Sequence, residues 1–227
     1  MIGIIGAMDI EIDALKELMR DKKSETISGI EFTSGVLEGK EVVAAVCGIG
    51  KVFAAVCAQT MILRYGVSCV INTGVAGSLT SRLGIGDIAV ADCAVQHDMD
   101  TSPLGDPVGL ISGINLVQLP ADEELGKKIC SAAQKLGIKS LCGPIASGDQ
   151  FIATPEGKAK IADCFGAIAC EMEGASIGQV CYINKVPFAI IRSISDSFDG
   201  KGEMDYAEFR LLAAKNSKAV VLELLRS

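Results

Sequence analysis

Continuous apolar runs, each followed by small or charged residues, recur along the chain. The most informative run is 188–191, which follows Pro187 and leads into Arg192, Ser193, Ser195 and Asp196. A run without polar positions is typical of a strand buried on both faces of a largely parallel sheet, with Pro187 tolerated only as its first residue. We therefore expect the polar side chains to lie at the carboxyl edge of the sheet, where open α/β sheets hold ligands.

Four more runs predict strands with the same arrangement. Residues 2–5 lead to Gly6 and Glu11, and 42–47 lead to the sequence Gly-Ile-Gly. Residues 69–71 lead to Asn-Thr-Gly, and 167–170 lead to Glu-Met-Glu. These segments should bring glycines and acids to one edge of the sheet.

The remaining pattern alternates strands with helices and predicts an α/β fold. Residues 30–37 and 41–47 form a predicted hairpin, and 68–73, 87–95 and 140–146 are predicted strands. The small residues at 74–78 suit either a close approach of the backbone to a ligand or a tight structural turn. Helices are predicted near 9–20, 51–64, 122–136, 174–183 and 205–225, with another capped by Thr154 and begun by Pro155. The apolar loop 99–118 is too hydrophobic to be left in water, so we expect it to contact a second subunit and to wall the site.

Composition limits the class of protein. The chain has 227 residues, 49% of them hydrophobic, and no Pro/Ser-rich or charged segment divides it, which favours one domain over 1–227. The net charge of -7 argues against nucleic-acid and membrane-surface binding, which need clustered Lys and Arg. A small molecule or a protein partner is expected.

The nine cysteines lie mostly in apolar stretches without the short spacing of zinc or redox pairs, so they are predicted to be reduced, buried thiols. Met1 stands directly before a predicted strand, so no secretory leader is expected and a cytoplasmic location is predicted. Residues 42–63 are long enough to span a bilayer, but Gly48 and Gly50 divide them into a strand and a helix, and no membrane span is predicted.

Two potential sites are set aside. His97 is the only histidine, which excludes a histidine-rich metal site. With Asp98 and Asp100 it could bind a metal, but two acids and one imidazole make a poor closed site, so a hydrogen-bonded structural role is favoured. Residues 48–51 lack the spacer and the hydroxyl residue of a nucleotide-triphosphate loop.

Six stretches, in order along nearly the whole chain, resemble the 5'-methylthioadenosine/S-adenosylhomocysteine nucleosidases of the purine nucleoside phosphorylase superfamily. They are 2–11, 48–51, 72–77, 147–152, 171–174 and 192–196. The resemblance implies a three-layer α/β/α sandwich around a mixed, partly barrel-like sheet, a homodimer, and no metal or organic cofactor. It also implies hydrolysis of the bond between adenine and a 5'-thio-substituted ribose, and by extension of 5'-deoxyadenosine.

Such a cleavage needs an acid for the leaving base, a partner for a cationic sugar and an activated water. By the resemblance, Asp196 is the acid, Glu173 binds the ribose, and Glu11 activates water with the help of Arg192. Without the resemblance, Asp196 could simply cap a loop, and Glu11 could be an ordinary acid at a helix start. Aspartic acids ordinarily ionise near about pH 4, so the site must keep the proton on Asp196.

The resemblance also assigns the residues around the substrate. Phe151 stacks on the purine, the backbone of Ile152 reads its amine, Met172 packs on the ribose, and Ser195 assists Asp196. The other expected contacts are Ile49, Val75, Ala76, Gly77 and Tyr206, with Thr101 and Leu104 supplied by the neighbouring subunit. Two departures bear on specificity: Val75 stands where many members carry serine, and the 103–114 loop differs from the best-known pattern.

Three other functions are compatible with the residues. A phosphorylase would need cations for phosphate, whereas the first loop offers Asp9 and Glu11 and no arginine. A nucleosidase acting on an aminodeoxyfutalosine would differ only in the 5' pocket. A purine-binding protein without activity would have no reason to keep Glu11, Glu173 and Asp196 together.

Overall fold

The computed structural model describes residues 1–199 and 202–227, with 202–205 described through their backbone. The strands are β1 (Ile2–Gly6), β2 (Arg20–Ile27), β3 (Ile30–Leu37), β4 (Lys40–Val46), β5 (Cys69–Ser78), β6 (Ile88–Gln96), β7 (Leu119–Pro120), β8 (Ser140–Ser147), β9 (Ala169–Glu171) and β10 (Phe188–Asp196). The helices are α1 (Asp9–Leu18), α2 (Lys51–Tyr65), α3 (Glu123–Lys135), α4 (Pro155–Phe165), α5 (Gly174–Asn184) and α6 (Gly202–Arg226). A 3-10 turn spans Ser102–Leu104.

The sheet closes on itself over part of its width. Strands β5, β10, β6, β8 and β9 form a ring, because β10 pairs with both β5 and β6. Strands β1, β4, β3 and β2 continue outward from β5. Parallel and antiparallel pairs are mixed, as in β5 with β10 and β5 with β9. The mixed, partly barrel-like sheet expected for this chain is confirmed.

Helices cover both faces of the sheet, which gives the three-layer α/β/α sandwich. Ala54 and Cys57 of α2 and Ile177 of α5 belong to one core cluster. Leu15 of α1 and Val220 of α6 belong to another, together with α3. Burial of apolar surface on both sides explains why the central strands carry almost no polar residues before their ends.

Sheet register brings the strand ends together. Ile5 of β1 is the partner of Asn72 of β5, and Arg192 of β10 is the partner of Gly74. Gly77 is paired with Cys170 in β9, so Glu171 arrives at the same edge. The prediction that polar residues following separate apolar runs meet at one edge is confirmed.

Several boundaries differ from the predictions. Of the two alternatives for 74–78, the tight turn is wrong, because β5 continues to Ser78. Strand β2 was not predicted, since its sequence is almost entirely polar and exposed and it is held by pairing with β3. Pro187 lies just before β10. The predicted loop 199–203 falls partly on 200 and 201, outside the described residues, and α6 begins at Gly202.

The cysteines and the long loop also required correction. All nine cysteines are free, but Cys142 and Cys164 are exposed, so the prediction of buried thiols holds for only part of the set. In the 99–118 loop, Ile111 is buried whereas Leu104 is 84% exposed. Within the described part of the chain, no helix is both long and apolar enough to cross a bilayer.

Candidate active site

A cavity of about 390 Å³ opens at the edge where the strand ends meet, within the size range of small-molecule sites. Its walls are Ala7, Met8, Glu11, Ile49, Val75, Ala76, Gly77, Gln150, Phe151, Ile152, Cys170, Glu171, Met172, Glu173, Arg192, Ser195, Asp196 and Tyr206. Every residue expected at the site is in this set except Thr101 and Leu104. Their individual roles stay predictions.

Glu11 is held by backbone donors at the start of α1. Its Oε2 accepts hydrogen bonds from the N–H groups of Ala7 (2.7 Å) and Met8 (3.0 Å). Its Oε1 accepts one from Val75 N–H (3.1 Å). Glu11 therefore caps its own helix, as the simpler interpretation held, and also reaches the cavity. Burial raises its pKa, while Arg192 and these donors act in the opposite direction.

Arg192 is the cationic centre of the site. It is buried at the end of β10, where its Nη2 contacts Glu171 and Asn72 and lies 3.6 Å from Glu173 Oε2. Burial by itself would lower the pKa of Arg192, but the carboxylates of Glu171, Glu173 and Glu11 raise it. One guanidinium therefore interacts electrostatically with three carboxylates.

Glu173 lies at the start of α5 and is bonded to the start of another helix. Its Oε1 accepts from Gly50 N–H at 2.9 Å, immediately before α2. The glycine-rich segment that superficially resembles a phosphate loop therefore binds a protein carboxylate. Burial, with the nearby Glu171 carboxylate, raises the pKa of Glu173 to about 7 despite Arg192.

Asp196 has donors on both carboxylate oxygens. Lys158 Nζ lies 2.6 Å from Oδ2, and Ser195 Oγ lies 3.0 Å from Oδ1. Both Lys158 and Asp196 are buried. A Cβ atom at Gly77 would lie 2.7 Å from Oδ2, so glycine allows the carboxylate to lie against β5.

Lys158 and Glu171 are the polar residues that sequence reasoning missed. A lysine near a helix start ordinarily lies in solvent, and no local signal indicates that Lys158 turns inward. Glu171 was placed at a strand end but given no role. It accepts from Glu173 N–H at 3.0 Å and from Gly174 N–H at 2.8 Å, and it contacts Arg192. The position of Glu171 at the end of β9 was the sequence signal that could have indicated its role in the site.

The mouth of the cavity is aromatic and apolar. Phe151 is 51% exposed, and its ring centroid lies 5.5 Å from that of Tyr206 in an edge-to-face arrangement. The Tyr206 hydroxyl lies 3.3 Å from Met8 Sδ. Ile49 is also exposed. A flat ring can enter beside Phe151 while the charged groups lie deeper.

The alternative site around His97 is not assembled. Asp98 pairs with Lys51 at 2.6 Å, and Asp100 accepts from Ser102 N–H at 2.8 Å. His97 Nε2 has no hydrogen-bond partner among the described residues. The same residues contain no group of three or more potential ligands placed to hold a metal.

Comparison with known proteins identifies the class of protein to which this fold and this cavity belong. The model of the phosphorylase superfamily matches residues 1–226. A 5'-methylthioadenosine/S-adenosylhomocysteine nucleosidase from Shewanella loihica is 41% identical, covering 99% of this chain and 98% of its own. The chain belongs to the family of these nucleosidases.

Two solved structures are similar over nearly the whole chain. One is the nucleosidase of this name from Neisseria meningitidis in complex with methylthio-immucillin-A, with a TM-score of 0.95, 37% identity and coverage of 99% and 98% of the two chains. The other is a futalosine hydrolase from Helicobacter pylori, with a TM-score of 0.93, 38% identity and coverage of 98% and 96%.

The raised pKa of Glu173 predicts a pH-dependent effect of Glu173→Gln on stability. The native state keeps the proton up to about pH 7, whereas the unfolded chain loses it near 4.5. The contribution of the Glu173 carboxyl group to the free energy of unfolding is therefore fully present below pH 4.5 and is lost as the pH rises through 7. Because the variant has no charge to bury, we expect it to exceed the wild type in free energy of unfolding by roughly 1–3 kcal/mol at pH 8 and to match it near pH 4.5.

Urea unfolding at the two pH values measures this difference. Glu156→Gln is the matched control, because Glu156 is an exposed acid in the first turn of α4. Its stability should change by less than about 0.5 kcal/mol at either pH. A Glu173→Gln variant that is less stable than the wild type at pH 8 would contradict the prediction.

Proposed function

We propose that this chain is a purine nucleosidase that hydrolyses the N-glycosidic bond of 5'-methylthioadenosine and S-adenosylhomocysteine. Water is the second substrate, and the products are adenine and the 5'-substituted ribose. The activity extends in this proposal to 5'-deoxyadenosine and serves methionine salvage. The names of its full-length relatives support the substrate class.

The observation that carries the proposal is the convergence of Glu11, Glu173 and Asp196 on one cavity. In the proposed reaction Asp196 donates a proton to the imidazole side of the purine as the bond breaks. Glu173 holds the ribose hydroxyls and faces the positive charge that develops on the sugar. Glu11 takes a proton from the attacking water, so the protons balance without a metal or an organic cofactor.

The geometry supports the roles of Glu11 and Glu173. Burial makes Glu11 a stronger base than an exposed glutamate, since its pKa is raised. Arg192 lies among the acids and orients Glu173. Both oxygens of Asp196 already meet donors, Lys158 and Ser195, so the purine nitrogen must replace one of these contacts to receive a proton.

Charge favours water over phosphate as the nucleophile. The described walls of the cavity carry four acids, Glu11, Glu171, Glu173 and Asp196, and one base, Arg192. Arg192 is already engaged by carboxylates. A phosphate dianion would meet net negative charge here, whereas a neutral water would not. This supports hydrolysis rather than phosphorolysis.

The apolar residues support binding of an adenine nucleoside with an uncharged 5' group. Phe151 is available to stack on the purine beside Ile152, and Met172 lies next to Glu173 for the ribose face. Val75, where many members of the family carry serine, leaves water placement to Glu11 and Arg192. Ile49 is an apolar wall suited to a thioether or alkyl tail.

A futalosine-type nucleoside is a second candidate substrate. A futalosine hydrolase is 38% identical to this chain and has the same fold. The same acids would cleave an aminodeoxyfutalosine, since it differs from 5'-methylthioadenosine only in the 5' substituent. Specificity would then depend on the walls near Ile49 and on residues brought by a second subunit.

A homodimer is part of the proposal. Val52, Phe53 and Leu63 of α2 are each more than half exposed, as is Leu104. Ile49 lies just before α2 at the mouth of the cavity. A partner covering this apolar face would also cover the mouth, which supports the expectation that Thr101 and Leu104 reach the neighbouring site.

The same proposal treats 1–227 as one cytoplasmic domain. Strands from both ends of the chain are adjacent, since β1 and β10 flank β5. The site combines residues from Glu11 to Tyr206, so neither half contains it alone. Free thiols at all nine cysteines are consistent with a reducing compartment.

Phosphate-free buffer provides the first functional test. We expect 5'-methylthioadenosine to be converted to adenine and a free 5-methylthio sugar at a rate that added phosphate does not increase. Chromatography of both products measures this, with an aminodeoxyfutalosine as a parallel substrate. Strict dependence on phosphate and a sugar phosphate product would reverse the choice of hydrolase, and faster cleavage of the futalosine would select the second candidate.

Asp196→Asn should lower turnover by about two to four orders of magnitude, because a positioned acid contributes that much. The substrate should still bind, since Glu173 and Phe151 are retained. Single-turnover rates and equilibrium binding of 5'-methylthioadenosine separate the two quantities. Asp163→Asn, an exposed acid of α4, is the control. Wild-type turnover in Asp196→Asn, with a normal unfolding temperature, would remove Asp196 from the mechanism.

Leu104→Glu should weaken the dimer and reduce substrate affinity together, because the charge would be placed in the apolar contact and near the partner's site. Sedimentation at micromolar concentrations measures the first effect and KM the second. Leu211→Glu is the matched control, since Leu211 is also an exposed leucine, 64% exposed on α6. A monomeric wild type, or equal effects from the two substitutions, would contradict the proposed interface.

A further inference from the structure

Cys130 of α3 and Cys142 of β8 lie side by side, and neither lines the proposed active-site cavity. Their Sγ atoms are 3.0 Å apart. Both line a second cavity of about 610 Å³, together with Asp92 of β6. A disulfide bond is about 2.05 Å long, so an approach of roughly 1 Å would join the two sulfur atoms.

The two thiols are accessible to a small oxidant. Cys142 is exposed and Cys130 is partly exposed, in contrast to core cysteines such as Cys57 and Cys181. Two thiols that are close to each other and open to solvent can pass from reduced to oxidised without unfolding.

We propose that Cys130 and Cys142 form a reversible intramolecular disulfide, a modification site that links α3 to β8. Two S–H bonds are lost and one S–S bond forms. Hydrogen peroxide takes the two electrons and two protons and becomes two water molecules. Oxidised glutathione can replace peroxide as oxidant, in which case it leaves as two thiols. A dithiol reductant restores both cysteines by the reverse exchange.

The electrostatics make this a slow modification. Partial desolvation of the thiol, the hydrogen bond with Cys130 and the nearby Asp92 carboxylate raise the pKa of Cys142 to about 12, although the residue as a whole is exposed. At neutral pH Cys142 is therefore a thiol and not the more reactive thiolate. We expect oxidation over minutes to hours, within the range of uncatalysed disulfide formation.

The bond would stabilise the fold without altering the active site. Cys142 lies about 16 Å along β8 from Ser147, at about 3.3 Å per residue, and Ser147 is the β8 residue that contacts Glu171. A link between α3 and β8 restricts the unfolded chain. Turnover should be unchanged, and the midpoint of thermal unfolding should rise by about 5 °C.

Thiol counting on the full-length chain tests the proposal. After treatment with hydrogen peroxide, and separately with oxidised glutathione, the denatured protein should expose two fewer thiols than its nine cysteines. The intact mass should fall by that of two hydrogen atoms, and peptide mapping should link Cys130 to Cys142. Dithiothreitol should reverse all three changes.

Matched variants separate this pair from general oxidation. Cys142→Ser should lose the paired reaction and the rise in unfolding temperature, whereas Cys164→Ser, which removes the other exposed cysteine, should retain both. Three results would overturn the proposal: nine free thiols after oxidation, a sulfinic acid on Cys142 without the link, or a link between chains. Normal turnover of reduced Cys142→Ser shows that the variant has folded.

Discussion

The burial of several carboxylates around one guanidinium is the interaction on which the site depends. Four acids line the cavity: Glu11, Glu171, Glu173 and Asp196. Removing such charges from water is costly unless each has a partner. Arg192 and Lys158, both buried, supply the cations, and further donors include the backbone N–H groups of Ala7, Val75 and Gly50. The sheet must close tightly enough to bring these groups into one place.

That requirement explains the glycines of β5. Gly74 is opposite Arg192, and a Cβ there would come within 2.5 Å of Glu11 Oε1. Gly77 permits the equally close approach of Asp196. The small residues at 74–78 are extended backbone against which buried charges lie. The sequence left open a tight turn or a close approach of the backbone to a ligand, because local sequence does not distinguish these two uses of glycine.

The correct and the missed predictions differ in what they depend on. The placement of Glu11, Glu173 and Asp196 at or just beyond strand ends could be predicted, because continuous apolar runs mark buried strands and parallel strands share an edge. Their specific roles came from resemblance to a family, since an acid at a helix start is usually only a cap. Lys158 was missed because its burial depends on a partner that lies on β10.

The sequence alone determined the alternation of strands and helices, the net negative charge and the set of residues at one sheet edge. These follow from periodicity and composition, which are local properties of the chain. Only the tertiary structure decided which cation meets which carboxylate, that β10 closes the ring by pairing with β6, and that Cys130 lies against Cys142. Some of these contacts join residues that are far apart in the sequence, and the contact between the two cysteines depends on how a helix packs on a strand. The local sequence pattern cannot predict either kind of contact.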